Sequence, residues 1–434
     1  MSKVDLSRIG ARLADYYRDP EAVIAVAVSG GADSLALLSL TLDWARDKGR
    51  PVHALIVDHG LRSASADEAE QTARIAQNLG AQARVLTWTP PKITSAVQAR
   101  ARVGRYGLLG RACRALGAKG LLVGHTQNDQ AETIIMRELS GSGWRGLAGM
   151  AEKTRAPIWP QLRGVTLLRP MLDMRREQTR SLCAARSIAF IDDPSNEDTV
   201  FARVRVRASL AGNSAERERA LALAARNGTR RHEEQRAARA WLSQYAKPTE
   251  AAFTIPKAAL NIAGATCGLA EVLKASGGAA RRADMASVER LMAAMGGEAP
   301  AAATLGGAII HGRKNAFLIT RDPGGVLGRG GQGASTLMLA PSQPAIWDNR
   351  YQVSAPADGA SLGPLWPSRE QLDKAARTAL SRFDPAVRRV LPGFYRGEVL
   401  IAVPALEFQT VTGEFQAIDL TAGRVFGADA EKLK

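Results

Sequence analysis

A run of small polar residues, SGGADS at positions 29–34, follows an apolar stretch of the sequence. Its two glycines allow the backbone to approach an anion closely, and the helix expected next offers N–H groups at its start. The serine hydroxyls can donate to phosphate oxygens, and the aspartate can help to hold the Mg²⁺ that screens them. The run is not a Walker loop, and an ordinary strand–helix turn is the alternative. The residues of this candidate phosphate site are Ser29, Gly30, Gly31, Ala32, Asp33 and Ser34.

A second polar group, GHTQNDQAET at positions 124–133, follows a later apolar stretch. Asp129 and Glu132 are three residues apart on a predicted helix, so both carboxylates lie on one face and can hold an amine substrate. The alternative is structural, because acidic residues are favoured in the first turn of any helix. His125, at the end of the strand, can bind a nucleotide or be a hydrogen-bonded core histidine.

Arginines form two further candidate binding groups. Arg102 and Arg105 are three apart on a predicted helix and can contact phosphate or lie in solvent, whereas Tyr106 beside them is expected in the core. The segment 201–207, FARVRVR, alternates, so an extended chain would place its arginines on one side. They can stabilise developing negative charge there, or belong to a salt-bridged surface strand. These arginines are Arg203, Arg205 and Arg207.

Strands and helices must alternate to position these residues. Continuous apolar runs indicate strands buried on both faces, which is typical of a parallel sheet covered by helices. We therefore expect an α/β fold with an open, doubly wound parallel sheet, whose ligands bind beyond the carboxyl ends of the strands. Ser29, Asp58 and His125 follow three of those ends. The predicted strands are 22–28, 52–57, 83–88 and 120–123, and the predicted helices are 34–46, 66–79, 94–116 and 128–139, with another strand and helix within 166–190.

The remaining sequence predicts two further regions. Ala, Arg and Glu at helical spacing over 214–245 indicate a helix with a basic face. A β-hairpin is expected at 308–320, and the glycine-rich run 323–335 is expected to be a loop. The predicted domains are a catalytic domain at 1–210, a mostly helical domain at 211–300 and a mixed α/β C-terminal region at 301–434.

Composition limits what the protein can bind and where in the cell it is expected. Lys and Arg outnumber Asp and Glu by 58 to 42, giving a formal charge of +16, which favours nucleic acid over a membrane surface or a merely solvated exterior. No apolar run suits a membrane span, and the start lacks the apolar middle of a signal peptide, so we expect a cytoplasmic protein. Cys113, Cys183 and Cys267 lie far apart, which indicates buried core residues rather than disulfides or a metal site.

These motifs together resemble one family. SGGADS is similar to the signature of the PP-loop, or N-type, ATP pyrophosphatases. VDHGLR at 57–62, ARVGRY at 101–106, the 124–133 motif, the glycine-rich loop 141–150 and DPSN at 193–196 narrow the resemblance to the tRNA(Ile)-lysidine synthetases, over about residues 20–210.

The resemblance implies a reaction. In that family ATP adenylates the C2 carbonyl of the wobble cytidine in a CAU-anticodon tRNA(Ile), and the ε-amine of free L-lysine displaces AMP. The products are lysidine, AMP and pyrophosphate, and the tRNA then reads AUA instead of AUG. The resemblance also implies that the basic helices after residue 214 and the C-terminal region bind the tRNA by shape and 2′-OH contacts.

The resemblance implies roles for individual residues as well. The 29–34 loop would bind the ATP phosphates, with Asp33 near Mg²⁺. Val204 stands where the family pattern has Asn, and Asn128 where many members have Asp. The other implied sites are Asp58, His59 and His125 for the nucleotide, Asp129 and Glu132 for lysine, Arg203 and Arg207 for the charge of the intermediate, and Arg102, Arg105 and Arg205 for the tRNA.

Two other functions stay open at this point. A PP-loop tRNA thiolase would also activate a pyrimidine carbonyl, but such enzymes usually use paired cysteines, and the sequence has no suitably spaced pair. An RNA-binding protein with an inactive nucleotide pocket is the other alternative, and the intact phosphate loop argues against it. The sequence leaves a homodimer open.

Overall fold

The computed structural model describes residues 3–60, 64–89, 97–191, 200, 202–296, 302–329, 333–356 and 360–427. The chain forms two compact units, Met1–His232 and Glu233–Lys434. Their boundary lies inside a long helix, Ser214–Tyr245, whereas the sequence predicted divisions at 210 and 300.

The first unit is an α/β domain around one mixed sheet with the strand order β3-β2-β1-β4-β6-β5. Neighbouring strands run parallel except β5, which is antiparallel to β6. Its strands are β1 (Ile24–Val28), β2 (Val52–Asp58), β3 (Gln82–Thr87), β4 (Gly120–Val123), β5 (Lys153–Arg155) and β6 (Thr166–Leu168). Its helices are α1 (Lys3–Tyr16), α2 (Ala32–Arg46), α3 (Ser65–Asn78), α4 (Val97–Leu116), α5 (Gln127–Leu139), α6 (Arg176–Ala185) and α7 (Ala202–Leu210), followed by α8 (Ser214–Tyr245).

Helices cover both faces of this sheet. Alternate residues of β1 point to opposite sides, so Val26 packs with α1, α2, α3 and α6, and Ala25 packs with α4. The predicted doubly wound parallel sheet is therefore confirmed, with element bounds within a few residues of those expected. Helix α1 was not predicted, although Ile9 and Leu13 are buried in this core.

Residues 202–210 correct the sequence prediction, because this segment is the helix α7 and not an extended strand. Val206 and Leu210, four residues apart, pack with Ala131 and Ile134 of α5. That apolar contact requires helical spacing and overrides the strand-like alternation of Arg and Val.

The second unit contains antiparallel sheets with the strand orders β7-β8-β11-β10-β9, β12-β15-β16-β17-β18 and β13-β14-β19. Its strands are β7 (Lys247–Thr249), β8 (Ala252–Pro256), β9 (Ala302–Leu305), β10 (Ala308–Gly312), β11 (Ala316–Arg321), β12 (Leu337–Met338), β13 (Ala345–Trp347), β14 (Tyr351–Ser354), β15 (Ser361–Pro364), β16 (Pro392–Arg396), β17 (Val399–Val403), β18 (Phe408–Gln409) and β19 (Gln416–Asp419). Its helices are α9 (Ala265–Ser276), α10 (Met285–Gly296), α11 (Gly324–Leu327), α12 (Lys374–Ser381), α13 (Pro385–Arg388) and α14 (Thr421–Phe426).

Pairing between distant segments explains why the division at 300 is not seen. Strand β8 pairs with β11, so residues on both sides of position 300 share one sheet. The hairpin of β10 and β11 and the long helix α8 were both predicted and are confirmed. Within the ranges that the structure describes, no helix is both long and apolar enough to cross a membrane.

Candidate active site

The phosphate-loop motif forms the tight connection from β1 to α2. Gly30 has a φ of +82°, and a Cβ there would lie 2.6 Å from Thr72 Oγ1, so a side chain is excluded on both grounds. Ser34 Oγ accepts from Ser29 N at 3.1 Å and donates to Gly31 O at 2.9 Å. Gly31 is the N-cap residue before α2 and has no side chain to cap the helix, so the helix presents backbone N–H groups where the motif predicts an anion.

A cavity of about 810 Å³ opens at the carboxyl ends of β1 and β4. The connection after β4 lies close to the start of α2, since a Cβ on Gly124 would be only 2.9 Å from Asp33 O. The cavity volume suits a nucleotide-sized ligand. Residues from both motifs line it, including Ser29, Asp33, His125 and Asp129, together with Arg105, Arg176 and Arg207.

The two histidines expected near the nucleotide, His59 and His125, both line this cavity. Burial lowers the pKa of His125 to about 4, and its Nδ1 accepts a hydrogen bond from Arg169 Nε at 3.2 Å. A neutral imidazole with its proton on Nε2 satisfies that contact. Asp58 instead serves its own turn, where Oδ1 accepts from Gly60 N at 2.9 Å and from Ser65 Oγ at 2.6 Å.

Beside the loop lies a compact group that we call the arginine–carboxylate cluster. Its members come from four helices, and three guanidinium groups face three carboxylates. Glu132 is only 1% exposed, and Asp129 is also buried. The cluster consists of Asp33 (α2), Asp129 and Glu132 (α5), Arg176 (α6), and Arg203 and Arg207 (α7).

Arg203 and Arg207 bind the predicted carboxylate pair directly. Arg203 donates from Nε to Glu132 Oε2 at 2.7 Å and from Nη2 to Asp129 Oδ1 at 2.9 Å. Arg207 donates from Nε to Glu132 Oε1 at 3.0 Å. They are four residues apart on α7 and so share a face, whereas exposed Arg205 donates to Val200 O instead.

Arg176 bridges all three carboxylates. It donates to Asp33 Oδ2 at 3.3 Å, to Asp129 Oδ1 at 3.2 Å and to Glu132 Oε1 at 3.2 Å. Sequence reasoning missed this residue, because only the fold brings α6 to α2 and α5. One signal was available, since Arg176 follows the parallel strand β6 and therefore lies at the same sheet edge as the other motifs.

Burial raises the pKa values of the cluster carboxylates Asp33 and Asp129, whereas the neighbouring arginines lower them. Burial raises the pKa of Asp33, although Thr179 Oγ1 and Arg176 donate to it. Burial also opposes ionisation of Asp129, but Arg203 and Arg176 outweigh it and lower the pKa of that carboxyl. Asp129 is therefore held in its charged form, as an ammonium-binding group must be.

Of the arginines predicted to contact RNA, Arg105 lines the cavity. Arg102 is exposed and Arg105 half-buried, and their guanidinium groups lie 5.0 and 5.2 Å from the ring centre of Tyr106, which is buried as predicted. In the loop 141–150, the ring centre of Trp144 lies 3.9 Å from the guanidinium carbon of Arg230 on α8. Arg62 and the DPSN motif at 193–196 lie outside the described residues.

A metal ion fits this site only as a partner of phosphate. Within the described ranges, no group of three or more His, Cys, Asp or Glu side chains could hold an ion by itself. Asp33 offers one carboxylate beside the phosphate loop, and Mg²⁺ commonly binds through one or two carboxylates together with substrate phosphates.

The chain is similar to several known proteins. The family model of the PP-loop domain matches residues 5–213. A tRNA(Ile)-lysidine synthase of Caulobacter vibrioides is 35% identical over 89% of this chain and 88% of its own length. Another tRNA(Ile)-lysidine synthase, from Hyphomonas neptunium, is 40% identical over 54% of this chain and 62% of its own length, so the chain matches less than two thirds of that relative. The solved structure of a U34-tRNA thiolase from Methanococcus maripaludis is 16% identical with a TM-score of 0.44, covering 53% of this chain and 78% of that one.

Proposed function

This chain belongs to the tRNA(Ile)-lysidine synthase family, and from that premise we propose that it ligates free L-lysine to C2 of the wobble cytidine of a CAU-anticodon tRNA(Ile). ATP is the second substrate, and the products are lysidine, AMP and pyrophosphate. One observation carries the proposal: the single side chain of Arg176 joins the carboxylate of the phosphate loop, Asp33, to the pair Asp129 and Glu132. This contact supports a phosphate site and an ammonium site that are close enough for one side chain to reach both.

In the first step, the C2 carbonyl oxygen attacks the α-phosphorus of ATP and pyrophosphate leaves. The N–H groups at the start of α2 and the hydroxyls of Ser29 and Ser34 bind the phosphates. Mg²⁺, when bound, would screen phosphate charge beside Asp33. Arg207, which lines the cavity, stabilises the negative charge that develops on the transferred phosphate.

In the second step, the lysine ε-amine attacks C2, the C2–O bond breaks and AMP leaves. The attacking amine must be neutral, and the nitrogen loses a proton as the new bond forms. Asp129 and Glu132 hold the positively charged part of lysine. The lowered pKa of Asp129 suits it to binding a cation rather than to accepting a proton.

The cysteines favour this reaction over thiolation. All three cysteines are buried. Cys113, on α4, packs in the core on one face of the sheet, and Cys183 packs in the core on the opposite face. Cys267 lies in the second unit. Sulfur transfer needs accessible thiolates, and burial raises the pKa of Cys113 to about 12. The proposal includes the cytoplasmic location expected from the sequence.

The direct test is the mass of the modified nucleoside. The protein is incubated with ATP, Mg²⁺, L-lysine and a CAU-anticodon tRNA(Ile) transcript, and the tRNA is then digested and analysed by mass spectrometry. We expect a cytidine heavier by one lysine less one water. A methionine tRNA with the same anticodon serves as the control and should stay unmodified. No modified cytidine in the isoleucine transcript would refute the proposal.

A further inference from the structure

Every carboxylate oxygen of Asp129 and Glu132 accepts a hydrogen bond from within the protein. Asp129 Oδ2 accepts from Thr126 N and Oγ1, both at 2.8 Å, and Oδ1 accepts from Arg176 and Arg203. Glu132 Oε1 accepts from Arg176 and Arg207, and Oε2 accepts from Arg203. Arginines are the donors at three of these four oxygens, so a substrate ammonium must compete with an arginine at each of those three.

Charge reinforces that competition. Three guanidinium groups balance the three carboxylates of the arginine–carboxylate cluster, so the cluster as a whole has little attraction for a cation. If one guanidinium moves away, the cluster that remains has one unit of net negative charge, and its carboxylates have free acceptor positions. The lysine site is thus strong only after one arginine has left it.

Arg176 is the arginine best placed to leave. Its contacts with the carboxylates are 3.2 to 3.3 Å long, whereas those of Arg203 and Arg207 are 2.7 to 3.0 Å. It is the first residue of α6, where the helix dipole disfavours a positive charge. It also lines the cavity together with Ser29 and Asp33 of the phosphate loop, so a triphosphate there offers it a second anionic partner.

We propose that Arg176 couples the two small substrates: the ATP triphosphate draws its guanidinium away from Asp129 and Glu132, and the lysine ammonium takes its place. This inference rests on the proposed function and names a positioning residue within it. ATP should therefore tighten lysine binding, and lysine should tighten ATP binding by the same factor. A cluster that is purely structural would leave the two affinities independent.

Calorimetric titration of the full chain tests this coupling. L-Lysine is titrated with and without α,β-methylene ATP and Mg²⁺, an analogue that resists cleavage at the reacting bond. We expect the analogue to tighten lysine binding by about tenfold or more in the native protein. Equal lysine affinities in the two titrations would overturn the inference, whatever the ligation activity.

Two variants assign the coupling to Arg176. In Arg176→Met, the lysine affinity measured without the analogue should be within about threefold of the lysine affinity that the native protein has with the analogue bound. Adding the analogue to this variant should change its lysine affinity little. Arg176→Lys keeps the charge but cannot span three carboxylates, so its coupling factor should fall at least about threefold. The control is Arg175→Met, which removes an exposed charge one residue away and should keep the native coupling.

The outcomes separate this inference from the function on which it rests. Native coupling in both Arg176 variants would overturn the inference while leaving lysine ligation intact. If Arg176→Met does not fold, Arg176→Lys and the native titrations still decide the question. If no lysine binds under any condition and no modified cytidine forms, the proposed function fails and the inference fails with it.

Discussion

The side-chain oxygen of Asn128 accepts a 3.0 Å hydrogen bond from the backbone N–H of Arg176, which joins the start of α6 to the start of α5. The first N–H groups of a helix lack partners within that helix, so this contact caps α6 from a neighbouring element. The family pattern often has Asp at position 128, and an aspartate oxygen can accept the same bond. The departure at this position therefore preserves the acceptor.

Asn128→Ala should lower the free energy of unfolding by about 1 kcal/mol, the usual cost of losing a helix cap. It should also slow lysine ligation, because Arg176 would be held less firmly. Asn128→Asp is the matched control and should keep near-native stability. Chemical denaturation and a ligation assay measure the two effects. Native stability and rate in Asn128→Ala would show that the contact has no consequence.

Arg203→Ala should reduce kcat by about 100-fold, because it removes a guanidinium that contacts Glu132 and Asp129 and is proposed to stabilise the charge of the intermediate. The fold should persist, since Arg176 and Arg207 still neutralise Glu132. Circular dichroism checks the fold, and single-turnover ligation checks the rate. Ser209→Ala, at an exposed position on the same helix and away from the cluster, should keep kcat. Native turnover in Arg203→Ala would refute the role assigned to it.

The neutral, half-buried His125 should make the stability of the protein depend on pH. Its pKa is about 4 in the folded protein, against 6.5 for an exposed histidine. Below pH 6.5 the unfolded state therefore binds a proton that the native state does not, and the free energy of unfolding falls as the pH falls towards 4. The loss from this residue between pH 7 and pH 5 should be about 2 kcal/mol.

Urea denaturation at pH 7 and pH 5 measures that loss. His125→Gln should reduce the difference in unfolding free energy between the two pH values. His232→Gln, at an exposed position on α8, should leave the difference unchanged. The same difference in His125→Gln as in the native protein would mean that other groups cause the acid sensitivity.

The exposed arginines of α8 are expected to bind tRNA phosphates. Arg226 and Arg230 lie four residues apart and are exposed, whereas Arg219 is held by Glu138 and Glu216. Replacing both Arg226 and Arg230 by Ala should weaken tRNA binding and reduce the slope of log affinity against log salt by about 1 to 2. Filter binding at several salt concentrations measures this slope. Arg219→Ala should change it little, and an unchanged slope in the double variant would exclude these contacts.

Point substitutions test tRNA binding in the second unit better than truncation does. Residues beyond Gly324 form most of a core that also contains Ala251, Ala252 and Leu318. Removing the chain after that glycine would therefore expose apolar surface on the part that is left. A loss of tRNA affinity in such a truncation could reflect misfolding alone.

Sequence patterns predicted the strands and the motifs at their carboxyl ends well, because these features depend on residues that are close together in the sequence. Apolar runs predicted the parallel strands, and Ser29 and His125 were expected at strand ends where ligands bind, where the structure has a cavity that both residues line. Spacing of three residues also predicted that Asp129 and Glu132 would share a helix face. Each of these inferences uses periodicity or the geometry of parallel sheets.

Tertiary contacts account for what the sequence did not predict. The Arg–Val alternation at 203–207 favours a strand, but Val206 packs with Ala131 of α5 and the segment is helical. Arg176 carries no local motif, and its role depends on three carboxylates that are distant in sequence. Asp58 was expected near the nucleotide because it follows a strand end, and its hydrogen bonds to Gly60 and Ser65 are a further feature that the sequence pattern did not predict.

The proposed reaction is adenylation of tRNA at the phosphate loop, followed by lysine transfer. The stoichiometry of the products tests it directly when ATP labelled in the α-phosphate is incubated with the protein, Mg²⁺, lysine and the CAU-anticodon tRNA(Ile). We expect one AMP and one pyrophosphate to be released for each lysine incorporated, and neither when tRNA is omitted. Release of ADP and phosphate instead, or lysine incorporation without pyrophosphate, would contradict it.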